Sequence, residues 1–196
     1  MDASRPGLRE RTRRVMRAEI GAVAERLFLD QGFDATTMDQ VAAEAGISRR
    51  TLFRYFDTKE DIVLDGLVER GHVLKEALES RPADEPPWQA LRAAFLAQRD
   101  DPRNAPESLA KMSKMLETPS LRARMVEKQR QWVALLAPEV QRRLGAPPGP
   151  QPDPRAEALV LCALVCLDVA VETWVRAGGE GDVARIYDEV AAAVRG

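Results

Sequence analysis

The chain has 196 residues, 45% of them hydrophobic, which is enough for one or two compact domains with a real core. It has no uninterrupted apolar run of ~18 residues and no apolar segment near its N-terminus, so we expect neither a membrane span nor a secretory signal. The formal net charge of −2 argues mildly against a nucleic-acid partner, yet residues 1–17 carry six arginines against Asp2 and Glu10. A local basic surface is therefore compatible with the composition.

Apolar residues recur with helical spacing through the whole chain, and strand patterns are almost absent. We therefore predict an all-α protein of about nine helices. The first predicted helix spans residues 11–31 and ends at a glycine. The second spans 38–45, is preceded by Thr37 in a capping box with Gln40, and is ended by Gly46.

The third predicted helix, residues 49–56, begins after the N-cap Ser48 and carries most of the functional information. Leu52 and Phe56 are one turn apart and should face inward, which leaves a short basic face outward. A helix of this kind, held on a small core behind a tight glycine turn, is how proteins enter the major groove of DNA.

Arginines on this helix can contact guanine edges or phosphates, and hydroxyls and backbone N–H groups nearby can contact phosphates. A further contact is expected from the lysine at the start of the next helix. An arginine-rich N-terminal arm could reach the adjacent groove, although a simple solvated tail is equally consistent with its composition. The predicted DNA-binding residues are Thr37, Ser48, Arg49, Arg50, Thr51, Phe53, Arg54, Tyr55, Lys59, Arg13 and Arg14.

The rest of the chain is predicted to form a larger helical body. We place a DNA-binding domain at residues 1–57 and a ligand-binding and dimerisation domain at 58–196. Thr118 is expected to cap the seventh helix, and Pro138 to kink or break it. The predicted helices of the body cover residues 59–80, 88–99, 106–117, 119–144, 154–178 and 182 to near the C-terminus.

Large aromatic and flexible side chains in the body suggest an apolar pocket, although each of them could equally fill a core. The candidate pocket residues are Trp88, Leu91, Phe95, Met112, Met115, Met125, Trp132, Leu136 and Asp168. The eighth helix is apolar almost all round, so a two-fold partner is expected to cover one side of it. The candidate interface residues are Leu161, Val165, Val169, Glu172 and Tyr187.

Other chemistry has little support in the sequence. His72, the sole histidine, has no metal-ligating neighbours in sequence, and we interpret it as structural or pocket-lining. Cys162 and Cys166 are interpreted as buried apolar thiols of a reducing cytoplasm. We expect no cofactor and no metal. No nucleophile–base arrangement is visible, so we do not expect an enzyme.

The sequence resembles the TetR family of transcriptional regulators over roughly residues 11–65. The resemblance is carried by Gly-Phe at 32–33, the run 36–48, Thr-Leu-Phe-Arg-Tyr-Phe at 51–56 and Lys-Glu-Asp at 59–61. One departure is Phe53, where the family usually has tyrosine, and this removes a phenolic hydroxyl. The resemblance implies a helix-turn-helix domain and a body that dimerises through its last two helices.

The body has a looser resemblance at 117–124, 131–133 and 173–179 to a subgroup similar to the mycofactocin-system regulator, which implies an acyl-CoA-like ligand. The expected function is therefore a homodimeric repressor, released from operator DNA by a small apolar effector. Two alternatives remain: a helical small-molecule-binding protein without operator binding, and an effector-independent activator.

Overall fold

A computed structural model describes residues 8–97, 105–147, 149 and 152–195. Within these residues the protein is all-helical, as predicted. It divides into two compact units, residues 1–66 and 67–196. The helices are α1 (Leu8–Gln31), α2 (Met38–Glu44), α3 (Arg49–Phe53), α4 (Lys59–Val63), α5 (Asp65–Glu79), α6 (Pro87–Ala97), α7 (Ala105–Glu117), α8 (Pro119–Arg143), α9 (Pro154–Arg176) and α10 (Val183–Arg195).

The N-terminal unit is a small helical cluster in which α1 packs against α2 and α4, and α2 packs against α3. The predicted inward positions are confirmed by a core of Ile20, Ala24, Val41, Ala42, Leu52, Phe56 and Ile62. Gly32 and Gly46 end α1 and α2 with φ of 89° and 66°. Only glycine adopts such angles without strain, so each glycine sets where its helix stops.

Three boundaries in this unit differ from the prediction. Helix α3 ends at Phe53, and the chain leaves it by a turn before Phe56 enters the core. The predicted fourth helix is broken at Leu64 into α4 and α5, so the described residues form ten helices where nine were predicted for the chain. Because Ile62 of α4 packs into the N-terminal core, the unit extends to Gly66 rather than to residue 57.

The C-terminal unit is built around α9, which packs against α6, α7, α8 and α10. Its core contains three tryptophans and a buried tyrosine among many small and aliphatic residues. The small residues include alanines of α6 and α9, which are buried in this core. Of the described helices, α9 is also long and apolar enough to cross a membrane. This is weak evidence for a membrane span, because core helices of soluble proteins meet the same criterion.

Two expectations for α8, a break of the helix at Pro138 and a side-chain cap by Thr118, are wrong. The helix continues through Pro138, since Leu136, Ala137 and Val140 on either side of it are buried and hold both segments in the core. Thr118 does not cap α8 with its side chain. Its hydroxyl donates instead to the Lys114 carbonyl at 2.9 Å, in the last turn of α7.

Candidate nucleic-acid interface and helical body

The two helices of the DNA-binding motif are fixed by their caps. Thr37 and Gln40 form the predicted capping box at the start of α2: the Thr37 N–H donates to Gln40 Oε1 at 2.8 Å, and Thr37 Oγ1 accepts from the Gln40 N–H at 3.3 Å. Ser48 Oγ accepts from the Thr51 N–H at 3.1 Å at the start of α3. These bonds satisfy orphan donors and define where each helix begins. Their side chains are thus engaged in capping.

The outward face of α3 is basic and carries an exposed aromatic ring. Arg49, Arg50 and Arg54 are exposed, and Phe53 is 39% exposed. The guanidinium of Arg49 lies 5.5 Å from the centre of the Phe53 ring. The face therefore offers both charge for phosphates or guanine edges and an apolar surface for a thymine methyl or a sugar.

Sequence reasoning overlooked Asp39 on α2. Arg49 Nε lies 3.2 Å from its Oδ1, and both side chains are mostly exposed. Arg50 has no ion pair or hydrogen bond with the described residues, so its guanidinium is available to a ligand while that of Arg49 is paired. The sequence contained a signal for this ion pair, since Asp39 lies ten residues before Arg49, on the other side of the turn between α2 and α3.

Arg13 and Arg14 lie on α1, which starts at Leu8, and both are exposed. The part of the arginine-rich arm in residues 1–7 lies outside the described residues. Arg54 stacks on the side chain of Tyr55, with its guanidinium carbon 5.4 Å from the ring centre. Tyr55 is half-buried and packs against the N-terminal core, so only part of it can face a ligand.

Lys59 has a different position from the one expected of a phosphate ligand. Its Nζ donates to the carbonyl oxygens of Phe33 at 2.8 Å, Thr36 at 3.2 Å and Asp34 at 3.3 Å. It also lies 4.4 Å from the centre of the Phe33 ring. All three donors of the ammonium group are thus directed at the loop before α2, and the side chain holds that loop.

In the body, most of the predicted pocket residues are part of the hydrophobic core. Trp88, Leu91, Phe95, Trp132 and Leu136 are all buried in one cluster. Met115 is also buried, whereas Met112 and Met125 are partly exposed. Apart from Trp88, which also borders a groove, the buried members of this set fill the core of the described structure.

Two open grooves lie elsewhere on the body. One, of about 530 Å³, contains Trp88 of the predicted set; its walls come from the start of α6, the N-terminal half of α9 and the end of α10. It carries Arg155 and Arg195, and the Arg195 guanidinium lies 5.6 Å from the Trp88 ring centre. A second groove of about 280 Å³ lies between α7 and α9 and includes Glu172 and Arg176.

Asp168 is a half-buried acid with an amide partner. Gln129 Nε2 donates to its two carboxylate oxygens at 2.8 and 3.0 Å. Burial raises the pKa of Asp168 to about 6; the Gln129 hydrogen bond opposes the rise and nearby Glu172 adds to it. Removal from water disfavours the charged form, and an amide compensates for this only in part.

An apolar stripe on α9 stays exposed in the single chain. Leu161, Val165 and Val169 follow one another at i, i+4 spacing and are 44%, 55% and 37% exposed. Glu172, at the end of this stripe, lies 3.6 Å from Arg122. Tyr187 was wrongly assigned to the interface: it is fully buried in the core, where its ring packs near Trp88.

Two further interpretations need correction. Cys166 is buried, and burial raises its pKa, but Cys162 is exposed and lines the larger groove. His72 is exposed and so is not part of the core. Among the described residues no group of three metal-ligating side chains comes together.

The two units match two domain families. Residues 20–65 match the family described as bacterial regulatory proteins of the tetR family, and residues 85–196 match the MftR C-terminal domain. Together with the capped, basic helix-turn-helix, these matches define a class. The protein belongs to the TetR family of transcriptional regulators, with a C-terminal domain of the MftR type.

Individual relatives agree with this assignment. The chain is 41% identical over 92 residues to the HTH-type transcriptional regulator TcmR of Streptomyces glaucescens, covering 47% of this chain and 41% of that protein. It is 34% identical over 127 residues to MftR of Mycobacterium tuberculosis, whose name assigns it to mycofactocin biosynthesis, covering 64% of each chain. The chain thus spans less than two thirds of the length of these relatives.

Among solved structures, the fold is similar to that of FadR from Thermus thermophilus, a TetR-family repressor in complex with lauroyl-CoA. The TM-score is 0.55 at 24% identity, with 89% of this chain and 90% of that chain covered. At this identity the similarity establishes the fold.

Proposed function

We propose that this protein is a homodimeric repressor that binds operator DNA through α2 and α3 and is released by a small acyl-type effector. The observation that carries the proposal is the exposed basic face of α3, capped by Ser48 and held on a core by Leu52. A short capped helix with exposed arginines fits the major groove, where a guanidinium can contact guanine or phosphate. The cytoplasmic location that we propose follows from this partner.

The test of DNA binding is to select duplexes from a random pool with the wild-type protein and to measure affinity for the winner at several salt concentrations. Arg50→Ala should weaken binding about tenfold or more if Arg50 contacts a base, or reduce the salt slope by about one if it contacts a phosphate. Arg185→Ala, at an exposed position of α10, is the control and should bind as the wild type. Unchanged binding by Arg50→Ala at every salt concentration would contradict its role.

The dimer part of the proposal is supported by the exposed stripe on α9. Leu161, Val165 and Val169 form an apolar surface on a helix whose buried residues pack into the core, and a second copy would cover this surface. A two-fold dimer also presents two copies of α3 to successive turns of the groove. In this proposal the apolar side of α9 faces protein and not lipid. Sedimentation analysis of the free protein measures the oligomeric state directly.

The effector part is supported by the MftR-type body and by the likeness in fold to a lauroyl-CoA complex. Because Trp88, Leu91, Phe95, Trp132 and Leu136 pack together, an acyl chain must displace core side chains to enter among them. The effector would then stabilise an open state that binds DNA poorly. A nearly complete switch requires a preference of ~5.5 kcal/mol for that state.

Lauroyl-CoA is the probe for this part. A titration should change the fluorescence of the buried tryptophans and lower the affinity for the selected duplex. Coenzyme A and lauric acid, used separately, show which half of the molecule is recognised. If neither these three compounds nor an aromatic compound of similar size alters DNA affinity, the effector part of the proposal fails. The filled core would then favour a regulator that works without an effector.

A further inference from the structure

Arg17 on α1 lies where three elements of the N-terminal unit meet. Its Nε donates to Asp65 Oδ1 at 2.9 Å, and its Nη2 donates to the same oxygen. Its Nη1 donates to the carbonyl oxygen of Tyr55 at 2.5 Å. The guanidinium carbon lies 4.2 Å from the centre of the Phe56 ring. The Arg17 guanidinium thus donates hydrogen bonds through its N–H groups and lies over an aromatic ring at the same time.

The partners of Arg17 belong to functionally different segments. Tyr55 and Phe56 directly follow α3, the helix with the basic outward face, and Phe56 anchors that helix in the core. Asp65 is the first residue of α5, which starts in the N-terminal unit and continues past its last residue, Gly66, to Glu79. Arg17 therefore links the end of the recognition helix to the beginning of the helix that leads into the body.

The environment strengthens this link. The Arg17 and Asp65 side chains are only 26% and 28% exposed, so water and salt screen their interaction less than that of a surface pair. For comparison, Arg26 and Glu44 form an ion pair between α1 and α2 of the same unit but are 58% and 49% exposed. The carbonyl of Tyr55 lies just beyond the last turn of α3, where a cation is favoured by the helix dipole.

We propose that Arg17 is a positioning residue for DNA reading, which sets the position of α3 by tying the Tyr55 carbonyl to Asp65 at the start of α5. The inference rests on the proposed DNA-binding function and adds a route by which a change in α5 reaches α3. A displacement of Asp65 pulls on the guanidinium, and the same guanidinium holds the backbone that follows α3. Loss of the link loosens α3 without removing any group from its DNA-facing side.

Asp65→Asn gives the sharpest test, because the loss of a negative charge and the loss of the link to Arg17 should change the affinity for DNA in opposite directions. Removing a negative charge should by itself raise the affinity for DNA. If Asp65 positions α3 through Arg17, the variant should instead bind the selected duplex about tenfold more weakly, while binding to a scrambled duplex stays the same or tightens. The measured quantity is the ratio of the two affinities, at several salt concentrations.

Glu44→Gln is the matched control, since it removes the same charge from the exposed ion pair of the same unit. Its ratio of specific to non-specific affinity should stay within about twofold of the wild type. Arg17→Lys is the second variant: it keeps the charge but lacks the planar guanidinium that bonds to Asp65 through two nitrogens and to Tyr55 through the third while lying over Phe56, so it should lose selectivity with an unchanged salt slope. Circular dichroism shows that each variant is folded at the assay temperature.

The outcomes separate the two proposals. If the wild-type protein binds no duplex in a salt-dependent manner, the DNA-binding function fails and this inference fails with it. If the wild type binds selectively but Asp65→Asn behaves like Glu44→Gln, only the positioning role is overturned. Should Asp65→Asn unfold, wild-type selectivity in Arg17→Lys overturns the role equally, and lost selectivity supports it.

Discussion

The N-terminal unit combines a small hydrophobic core with polar side chains that bond to backbone groups, whereas the C-terminal unit is built on a much larger hydrophobic core. In the first, Thr37, Ser48 and Lys59 each bond to main-chain atoms and fix short helices and loops. In the second, long helices share the buried surfaces of residues such as Trp88, Trp132 and Tyr187. Hydrogen bonds between residues close in sequence can be predicted from a short segment, whereas the packing of the core depends on helices that are far apart in the chain.

The C-terminal unit also contains one polar cluster that resembles the arrangement in the N-terminal unit. Arg143 on α8 has a fully buried side chain and donates to carbonyl oxygens of Leu78, Arg81 and Pro82 around the end of α5. Glu139 accepts from Arg143 at 2.8 Å and also from Arg142, and these bonds lower the pKa of Glu139. Helix α5 is thus held at its first residue by Arg17 and at its last turn by Arg143.

The largest effect should come from charging the exposed stripe of the body. If dimerisation through α9 is needed for DNA reading, Val165→Glu should yield monomers and weaken operator binding about 100-fold, because the second half-site contact becomes independent of the first. Sedimentation and gel-shift titration measure the two effects. Val126→Glu on α8 has the same 55% exposure and should leave both unchanged. If the Val165→Glu variant were still a dimer, the dimer interface would not include this side of α9.

Asp168 should make the body more stable at acidic than at neutral pH. Its folded pKa of about 6 lies above the ordinary carboxyl value of 3.8, so its ionised form costs stability above pH 6, and this cost disappears as pH falls towards 4. Asp168→Asn should therefore raise the free energy of unfolding by about 2–3 kcal/mol at pH 7.5 and by about half of that at pH 5.

Denaturant titrations at the two pH values measure the Asp168 effect. Asp188→Asn is the control with the opposite sign. Hydrogen bonds from Arg92 lower the pKa of Asp188, so its loss should slightly destabilise the protein at neutral pH, by less than about 1 kcal/mol because the pair is exposed. A destabilised Asp168→Asn at pH 7.5 would show that the carboxylate has a cationic partner in the functional assembly.

In the N-terminal unit, Lys59→Met should leave three carbonyl oxygens without their donor. We expect a loss of about 2 kcal/mol in the stability of α2 and of the preceding loop, seen as faster hydrogen exchange of amides in residues 36–44. Lys75→Met, which breaks the exposed pair with Glu79, should change stability by less than about 0.5 kcal/mol. Equal exchange rates in the two variants would show that Lys59 does not hold the loop.

Substitution by alanine should have opposite effects on the stability of the protein at two glycines. A Cβ at Gly71 on α5 would lie 2.7 Å from Trp132 Cδ1, so Gly71→Ala should destabilise the body by about 1 kcal/mol, overpacking outweighing the gain in helix propensity. At Gly21 on α1 nothing lies within 4 Å, and Gly21→Ala should stabilise the protein by up to about 1 kcal/mol. Thermal unfolding measures both, and a stabilised Gly71→Ala would show that Trp132 has room to move.

The sequence predicted the features that depend on neighbouring residues. The capping box at Thr37, the cap at Ser48, the glycine stops and the inward positions of Leu52 and Phe56 all follow from bonds or periodicities within a few residues. It did not predict the use of Lys59, because the carbonyls that the ammonium contacts lie 23 to 26 residues earlier in the chain. The position of Lys59 at a helix start had suggested a phosphate contact there.

In the body, the sequence by itself determined that long apolar helices would form and that α9 would be one of them. Which apolar residues fill the core, which line grooves and which stay exposed was decided by tertiary packing. Tyr187 and Val165 show the difference: both are apolar-face candidates in sequence, yet one is fully buried and the other is 55% exposed. Periodicity specifies a face of a helix, but only the neighbouring helices decide what covers that face, because burial is a property of two surfaces in contact.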